Sequence, residues 1–556
     1  MAGFLGLERL ASGPWQAFDR AILRLLMHHG FQDCYLVDGP GDRGADILAV
    51  HGSRAWVIQA KFRSNQTAAP DSALSEILDG LQTYDGSIGV IAANRYFNDS
   101  LYRDAQQRGR DTGWEIRLWP GRVLLEYFEK LPDFPHGYEE CRQYQMQAVE
   151  AVEMSRSRGG GRGLVAMATG LGKTRVAAEL VAREIGRERG SEVLVLAHTV
   201  PLVHQFEESL WRGLPKQIVT HIWDGRERPA FREGVVCATF QSLLSETARR
   251  DVAGRFPLVI VDEAHHAAAP GYRSLLEELH PDYLLGLTAT PWRGDRQLLS
   301  EVFGRTVFSM SIVEGMQLGY LCGVDYRMLV DDVDWDQVSA LSRKGLTVRD
   351  LNRYLYVPGR DAALVDTVVS HLHELANARG IVFCRSAEHA TLMANLLRAA
   401  GISCSEIYAA QGRQEVFRLL RGFRQGQFSV LVGVDLLNEG LDIPDVNLIV
   451  FARVTHNRRI FVQQLGRGLR LSRGKESVRV LDFVADIRRI AAALDINREA
   501  EDVAAERGKE IVRFPSGQIV QFSNDRPLEF FGEYLADVAE LETIDDSAVL
   551  RFPPDP

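Results

Sequence analysis

Leu164-Val-Ala-Met167-Ala168-Thr169-Gly170-Leu171-Gly172-Lys173-Thr174 passes from an apolar run into a glycine-bracketed turn that ends in a lysine and a threonine. Residues 164–167 predict a short buried strand, and 173–186 a helix. Strand, turn and helix in that order let backbone N–H groups converge on phosphates. Gly170 and Gly172 allow the tight inward turn. Lys173 would set an ammonium against β and γ phosphates, and Thr174 would offer a hydroxyl to Mg²⁺. The helix N-terminus adds partial positive charge. Met167 stands where the first glycine of such a loop is usual.

Further along, Leu258-Val-Ile-Val261 ends in Asp262-Glu263-Ala264-His265-His266. An apolar strand delivering two adjacent acids at its C-terminal tip is where an open α/β sheet performs metal chemistry. Asp262 is expected to hold Mg²⁺, and Glu263 to orient and deprotonate the attacking water.

Around these segments short apolar runs alternate with helical patterns. Residues 164–167, 193–197, 235–238, 258–261 and 284–288 form one series of strand candidates. Residues 380–383, 430–434, 448–451 and 478–483 belong to a second series that begins near Tyr326. The alternation predicts two parallel sheets with covered faces. Residues 155–161, rich in Ser, Arg and Gly, predict a mobile loop.

The motifs also carry a resemblance. In family order come Arg142-Gln-Tyr144-Gln145, the loop 168–174, Leu196-Ala-His-Thr199, Ala238-Thr239-Phe-Gln241-Ser242 and the Asp262-Glu263 segment. Thr288-Ala-Thr290-Pro291, Ile381-Val-Phe-Cys-Arg385, Glu439-Gly440-Leu-Asp442-Ile-Pro444 and Gln463-Gln-Leu-Gly466-Arg467-Gly-Leu-Arg470 follow. Over about residues 140–485 the chain resembles superfamily 2 helicases and translocases of the DEAH-type branch, which includes restriction-enzyme motors and repair helicases. The resemblance implies two RecA-like lobes clasping one ATP. It implies that Arg142 and Gln145 read adenine and that Thr169, Gly170, Gly172, Lys173 and Thr174 hold the phosphates and Mg²⁺. It places Gly440, Asp442 and Gln463 on the nucleotide from the second lobe, with Asp442 toward the ribose. Thr288 and Thr290 would couple ATP state to nucleic-acid grip. Arg467 and Arg470 would reach the γ-phosphate, where guanidinium forks stabilise the charge that phosphoryl transfer spreads. Two positions depart from the pattern. His198-Thr199 stands where relatives often carry Arg, and Val434 replaces a commoner Thr. For Thr239, Gln241 and Asn438, nucleic-acid contact and plain loop capping are equal readings.

The first part of the chain reads differently. Phe18, Ile22, Leu25 and Leu26 recur at helical spacing over residues 15–29, and Gly30 can end that helix. Gly41-Asp42-Arg43-Gly44-Ala45-Asp46-Ile-Leu-Ala-Val50 and Val57-Ile58-Gln59-Ala60-Lys61 lie in two strand candidates, 46–50 and 55–62. A His51-Gly52-Ser53 turn joins them. Period-two geometry puts Gln59 and Lys61 on one face, Ile58 and Ala60 on the other, and the turn brings Asp46 beside the first pair. An acid, an amide oxygen and an ammonium on one face suit metal-assisted phosphodiester hydrolysis. Over about residues 10–130 this D…QxK pattern resembles the PD-(D/E)xK nuclease superfamily, in its Mrr-like restriction endonuclease branch, where Gln often replaces the second acid. The resemblance makes Asp19, in the preceding helix, a further candidate metal ligand; the other reading of that position is a plain surface carboxylate.

The expected architecture is α/β throughout. A restriction-endonuclease-like domain would occupy residues 1–134, ending at the Pro-bearing stretch Leu131-Pro-Asp-Phe-Pro135. RecA-like lobes would follow at 138–318 and 319–490, with an extension of unassigned role at 491–556. The net charge of −10 over 556 residues means that any basic nucleic-acid track is local. The six cysteines show no CxxC pair or zinc spacing, which predicts buried thiols in a cytoplasmic protein. No apolar run reaches the ~18 residues of a membrane span, and the N-terminus lacks a signal-peptide pattern. The expected function is an ATP-dependent DNA helicase or translocase fused to a Mg²⁺-dependent DNA endonuclease, in restriction, anti-phage defence or DNA repair. Its expected partners are single-stranded DNA in the motor groove, duplex at the nuclease, and proteins of the same system. Two rival readings are a non-cleaving DNA-recognition domain ahead of the motor, and an RNA helicase.

Overall fold

Strands β1 (Gln32–Leu36), β2 (Ile47–His51), β3 (Arg54–Lys61), β4 (Ile88–Ala93) and β5 (Glu115–Trp119) form the first of three sheets in the computed structural model. The structure describes residues 3–37, 43–65, 67–187, 191–229, 233–289, 299–329, 360–384, 386–408, 411–434, 446–452, 475, 477–483 and 512–513. Strands β1 to β3 run antiparallel, whereas β3, β4 and β5 are parallel. Helices α1 (Leu7–Ser12), α2 (Trp15–His28), α3 (Ser72–Thr83), α4 (Asp99–Thr112) and α5 (Gly121–Lys130) surround this sheet. The apolar stripe of α2, Phe18, Ile22, Leu25 and Leu26, shares a core with Ile47, Ala49, Trp56 and Ile58. The other sheet face meets α3, whose Ile77 and Leu81 pack over Gly89. The two faces of β3 are thus divided between α2 and α3, and Gln59 and Lys61 belong to the α3 side by alternation.

The chain divides into two compact units, Met1–Met167 with Gly172–Ser309, and Ala168–Leu171 with Met310–Pro556. In the first, β6 (Arg162–Met167), β7 (Glu192–Ala197), β8 (Thr220–Trp223), β9 (Gly234–Thr239), β10 (Leu258–Val261), β11 (Tyr283–Thr288) and β12 (Thr306–Met310) order as β12-β6-β11-β10-β7-β9-β8. The strand pairs from β6 through β8 are parallel. Helices α6 (Gln143–Ser157), α7 (Lys173–Arg187) and α8 (Val200–Trp211) belong to this sheet's layers. The second unit carries β13 (Gly323–Leu329), β14 (Gly380–Phe383), β15 (Cys404–Ile407), β16 (Val430–Gly433), β17 (Leu448–Phe451), β18 (Ser477–Phe483) and β19 (Val512–Arg513). Their order is β15-β16-β14-β17-β18-β13-β19, parallel throughout. The central strands of both parallel sheets are buried along their length, as continuous Val, Ile and Leu runs require.

Two expectations need correction. Helix α6 continues through Ser157, so the glycine-rich connection is shorter than the loop expected from residue 155. The pattern also misses β1, β5, β8, β12, β15 and β19, all of which are sheet edges. Edge strands are half-covered and short, and carry a weaker apolar signature than central ones. The cysteines are unpaired thiols, with Cys237, Cys322, Cys384 and Cys404 buried. Among the described residues no helix is long and apolar enough to cross a membrane.

The N-terminal sheet domain is joined to the β6–β12 domain by buried polar contacts. Arg20 of α2, 4% exposed, brings Nε to 2.9 Å from Glu207 Oε2 on α8 and donates from Nη2 to Glu227 Oε1 at 2.9 Å. Its Nη1 donates to Glu227 Oε2. One turn on, Arg24 donates to the Ile218 and Pro215 carbonyls at 2.8 and 3.2 Å. Lys216 reaches back, its Nζ donating to the Leu131 carbonyl at 2.6 Å. Trp211, at the end of α8, packs in the same core as Phe4 and Phe128. Burial at this junction also holds two imidazoles neutral. His28 Nε2 donates to the Pro132 carbonyl at 2.9 Å, and His221 Nε2 to the Glu233 carbonyl at 3.1 Å. Burial pushes the two rings down to about 4 and about 3. Both lie below the ordinary value near 6.5, so the unfolded chain binds more protons than the folded one once pH drops below that value. Stability from these rings is complete above pH ~6.5 and is lost progressively as pH falls toward the folded values. The thermal midpoint is expected to decline from pH 7 to pH 4.5. Replacing both histidines by Gln should flatten that decline, and an unchanged slope in the double variant would contradict the assignment.

Candidate active sites

Gln59 lies opposite Asp46 in the β2–β3 register, because Ile47 pairs with Ile58 and the Asp46 N–H donates to the Ile58 carbonyl at 2.9 Å. Asp46 Oδ2 accepts from the Ala60 N–H at 2.6 Å, which fixes the carboxylate over β3. Gln59 is 2% exposed. Its Nε2 donates to Glu76 Oε2 on α3, and Lys61 Nζ stands 2.5 Å from the same oxygen. Gln59 Oε1 is buried without a hydrogen-bond donor. The structure therefore brings Asp46, Gln59 and Lys61 to one strand end, with Glu76 in contact with two of them. Partial burial pushes the Glu76 carboxyl up, but the hydrogen bond and charge of Lys61, with Ser72 and Gln59, outweigh it and hold it below its usual range.

Asp19 is buried on α2, whose apolar stripe packs on the Ile58 face of the sheet. It is not the surface carboxylate that its helical position also allowed. Its neighbour Phe18 packs against Phe62, just past Lys61, with ring centroids 6.1 Å apart. Glu76 was missed by sequence reasoning. The available signal was Gly44. A Cβ there would meet the Glu76 carbonyl oxygen at 1.9 Å, so the turn leading into Asp46 needs glycine because α3 abuts it. The backbone at Gly44, with φ +79°, also favours glycine.

In the second site, β6 leads into the loop and α7 begins at Lys173, as the opening stretch predicts. Gly170 and Gly172 adopt φ +92° and +81°. A Cβ on Gly172 would lie 2.5 Å from Gln145 Nε2, so the Gln145 amide rests directly on the loop. Gln145 Oε1 accepts from the Arg142 N–H at 2.9 Å, which orients the amide at the start of α6. Lys173 Nζ donates to the Met167 carbonyl at 3.4 Å, folding the ammonium back over the loop.

The acids stand at the tip of β10. The Asp262 N–H donates to the Leu196 carbonyl on β7 at 2.9 Å. Burial pushes the Asp262 carboxyl up, the adjacent Glu263 charge adds to this, and Lys173 partly opposes it. Lys173 and Asp262 are thus within electrostatic reach of each other. Glu263 has φ +46°, a left-handed backbone that a glutamate adopts only when its surroundings impose it. His265 Nδ1 is 3.4 Å from Glu263 Oε2 without hydrogen-bond geometry, and that oxygen is buried with no donor. His198, at the tip of β7, stacks on His266 with centroids 4.2 Å apart, and His266 meets His265 at 4.2 Å. This imidazole stack joins the segment after β7 to the acids, a link that motif reading did not anticipate. Thr239 Oγ1 and Ser242 Oγ are 2.5 Å apart, and the Ser242 N–H also donates to Thr239 Oγ1, so Thr239 caps its own turn. Thr288 is buried at the end of β11. Thr290, Asn438, Gly440, Asp442, Gln463, Arg467 and Arg470 lie outside the described residues.

Three family models match consecutive stretches of the chain. They are a restriction endonuclease model over residues 10–128, the res subunit of type III restriction enzymes over 139–293, and the helicase conserved C-terminal domain over 363–472. The chain therefore carries, in order, a restriction endonuclease domain, a res-subunit domain and a helicase C-terminal domain. Its relatives include helicases and restriction-enzyme subunits alike. The helicase IRC3 of Saccharomyces cerevisiae is 26% identical over 355 residues, covering 62% of this chain and 51% of the relative. The Type I restriction enzyme EcoKI endonuclease subunit of Escherichia coli is 27% identical over 416 residues, covering 64% of this chain and 35% of the relative. The chain thus spans about half of the first relative and about a third of the second. Among solved structures, the ATP-dependent Type ISP restriction-modification enzyme LlaBIII bound to DNA shares the fold. It has a TM-score of 0.53 at 16% identity, over 84% of this chain and 36% of that one.

Proposed function

We propose that this chain is an ATP-dependent DNA helicase or translocase whose N-terminal domain cuts DNA with Mg²⁺, acting in the cytoplasm in restriction, anti-phage defence or DNA repair. The observation that carries this reading is the meeting of Asp46, Gln59 and Lys61 at one strand end, in a domain docked onto the one that holds Lys173, Asp262 and Glu263. Both sites suit a divalent cation. Gln59 Oε1 and Glu263 Oε2 are buried oxygens without donors, and burial together with the adjacent Glu263 charge disfavours the charged form of Asp262. Among the described residues no three His, Cys, Asp or Glu side chains form a ready metal cluster, consistent with an amide oxygen and a hydroxyl among the donors. Asp46 and Gln59, with Asp19 as a further candidate, would hold the cation at the nuclease; Thr174 and Asp262 would hold it at the motor. Bound there, Mg²⁺ supplies charge neutralisation on the phosphate oxygens and a more acidic water.

The chain's own groups do the rest. Lys173 and the α7 N-terminus neutralise the phosphates, while Gln145 and Arg142 face the base. Glu263 takes the proton of the attacking water at its half-buried carboxylate. Arg467 and Arg470 stabilise the charge of the transferring phosphoryl group. In the nuclease, the Lys61 ammonium positions the water and offsets charge on the scissile phosphate. The proposed boundaries are 1–134 for the nuclease and 138–318 and 319–490 for the motor lobes, with single-stranded DNA as the motor's partner, held chiefly through its phosphates.

The test incubates the full chain with Mg²⁺ or Mn²⁺ and linear, supercoiled, branched and modified DNA. The parent is expected to cut, and Asp46→Ala and Lys61→Ala are expected to lose scission by at least about 10²-fold. If the parent cuts none of these DNAs, the N-terminal domain is a recognition module. ATP turnover stimulated by single-stranded RNA but not by DNA would overturn the choice of nucleic acid.

A further inference from the structure

We propose that Glu76, on α3 and outside the D…QxK pattern, supplies the second carboxylate of the nuclease metal site; this rests on the nuclease reading above. The strand motif provides one acid, Asp46, and an amide, Gln59, where a second acid would add charge. A hard divalent cation prefers anionic oxygen donors, and one carboxylate with one neutral amide leaves half of its charge uncompensated. The missing charge has a source nearby. Glu76 Oε2 is shared by Gln59 Nε2 and by Lys61 Nζ, 2.5 Å away, so the carboxylate lies against two of the three motif residues.

Its position is set by the backbone. The Gly44 turn, two residues before Asp46, abuts the Glu76 carbonyl so closely that a Cβ would come within 1.9 Å. Gly80, one turn further along α3, leaves a Cβ only 2.9 Å from the Gly44 carbonyl oxygen. Two glycines thus seat α3 on the turn that delivers Asp46. The same contact orients the Gln59 amide. With its nitrogen committed to Glu76, its oxygen is left buried and without a donor, in a side chain 2% exposed. A plain ion pair between Glu76 and Lys61 leaves the buried Gln59 oxygen without a partner, whereas a cation beside Asp46 and Gln59 would supply one.

The experiment is a calorimetric Mn²⁺ titration of the nucleotide-free full chain. The proteins are the parent, Asp46→Asn, Glu76→Gln, and the combination Gln59→Glu with Glu76→Gln, which returns the acid to the strand. Asp46→Asn identifies which binding event belongs to the nuclease. Glu76→Gln is expected to weaken that event by on the order of tenfold or more, with the combination recovering most of the loss. DNA scission should follow the same order. Recovery in the combined variant also shows that the substituted chains fold. If Glu76→Gln binds Mn²⁺ as the parent does while Asp46→Asn does not, Glu76 is only a counter-ion to Lys61 and the proposal is overturned. If Asp46→Asn also binds as the parent does, the nuclease reading falls with it.

Discussion

Glu263→Gln is expected to slow ATP turnover by about 10²–10⁴-fold while nucleotide binding persists. The side chain keeps its size, so the left-handed backbone at φ +46° and the packing around it have no reason to change. What disappears is a carboxylate whose Oε2 is buried without a donor and therefore free to take a proton from water. The charge repulsion with Asp262 also goes, which removes the second cause, after burial, that pushes the Asp262 carboxyl up. Lys173→Ala differs in kind. It removes the ammonium that neutralises the phosphates, so affinity and turnover should fall together. Phosphate release with saturating DNA, together with a fluorescent-nucleotide binding curve, separates the two patterns. Parental turnover in either variant would remove these residues from the active site.

The second large effect concerns the seam between the nuclease and the first helicase domain. Arg20→Ala is expected to lower stability by about 3–5 kcal/mol, because it strands two buried carboxylates without their counter-ion. Glu207 is 1% exposed and Glu227 6%. The Glu227 backbone is pinned as well, its N–H donating to Asp224 Oδ1 at 2.8 Å. Burial already pushes the Glu227 carboxyl up despite Arg20, so loss of the guanidinium should drive it to protonate. Adding Glu207→Gln and Glu227→Gln to Arg20→Ala should recover part of the loss, because neutral amides need no counter-ion. Denaturant unfolding reads both effects. A loss below ~1 kcal/mol for Arg20→Ala would mean that the pair behaves as a surface ion pair and does not hold the seam.

Sequence reasoning was strongest where chemistry and local structure coincide in a short segment. The loop after β6 and the acids after β10 each need a buried strand, a tight turn and particular side chains in succession, so composition and order suffice. The D…QxK pairing was legible because period-two alternation and one short turn fix which residues share a face. Edge strands such as β1 and β15 were illegible because half-covered backbone needs no continuous apolar run. Glu76 was illegible because it reaches the site from a helix whose docking depends on Gly44, and a lone glycine in a turn has many ordinary explanations. The Arg20–Glu207–Glu227 cluster joins residues 187 and 207 positions or more apart, and no local pattern carries such pairings. His198 stood out only as a departure from a family pattern; its stacking on His266 gives that departure a structural partner beside the acids.

The central claim is that one chain holds two separable chemistries, phosphoryl transfer from ATP and scission of DNA. The most direct measurement is a single reaction of the full chain with ATP, Mg²⁺ and DNA, scored at once for phosphate release and strand breaks, in the parent, Asp46→Ala and Glu263→Gln. The account predicts that Asp46→Ala loses breaks and retains DNA-stimulated phosphate release, whereas Glu263→Gln loses phosphate release. Breaks that survive Asp46→Ala at the parental rate, or phosphate release that survives Glu263→Gln, would contradict it.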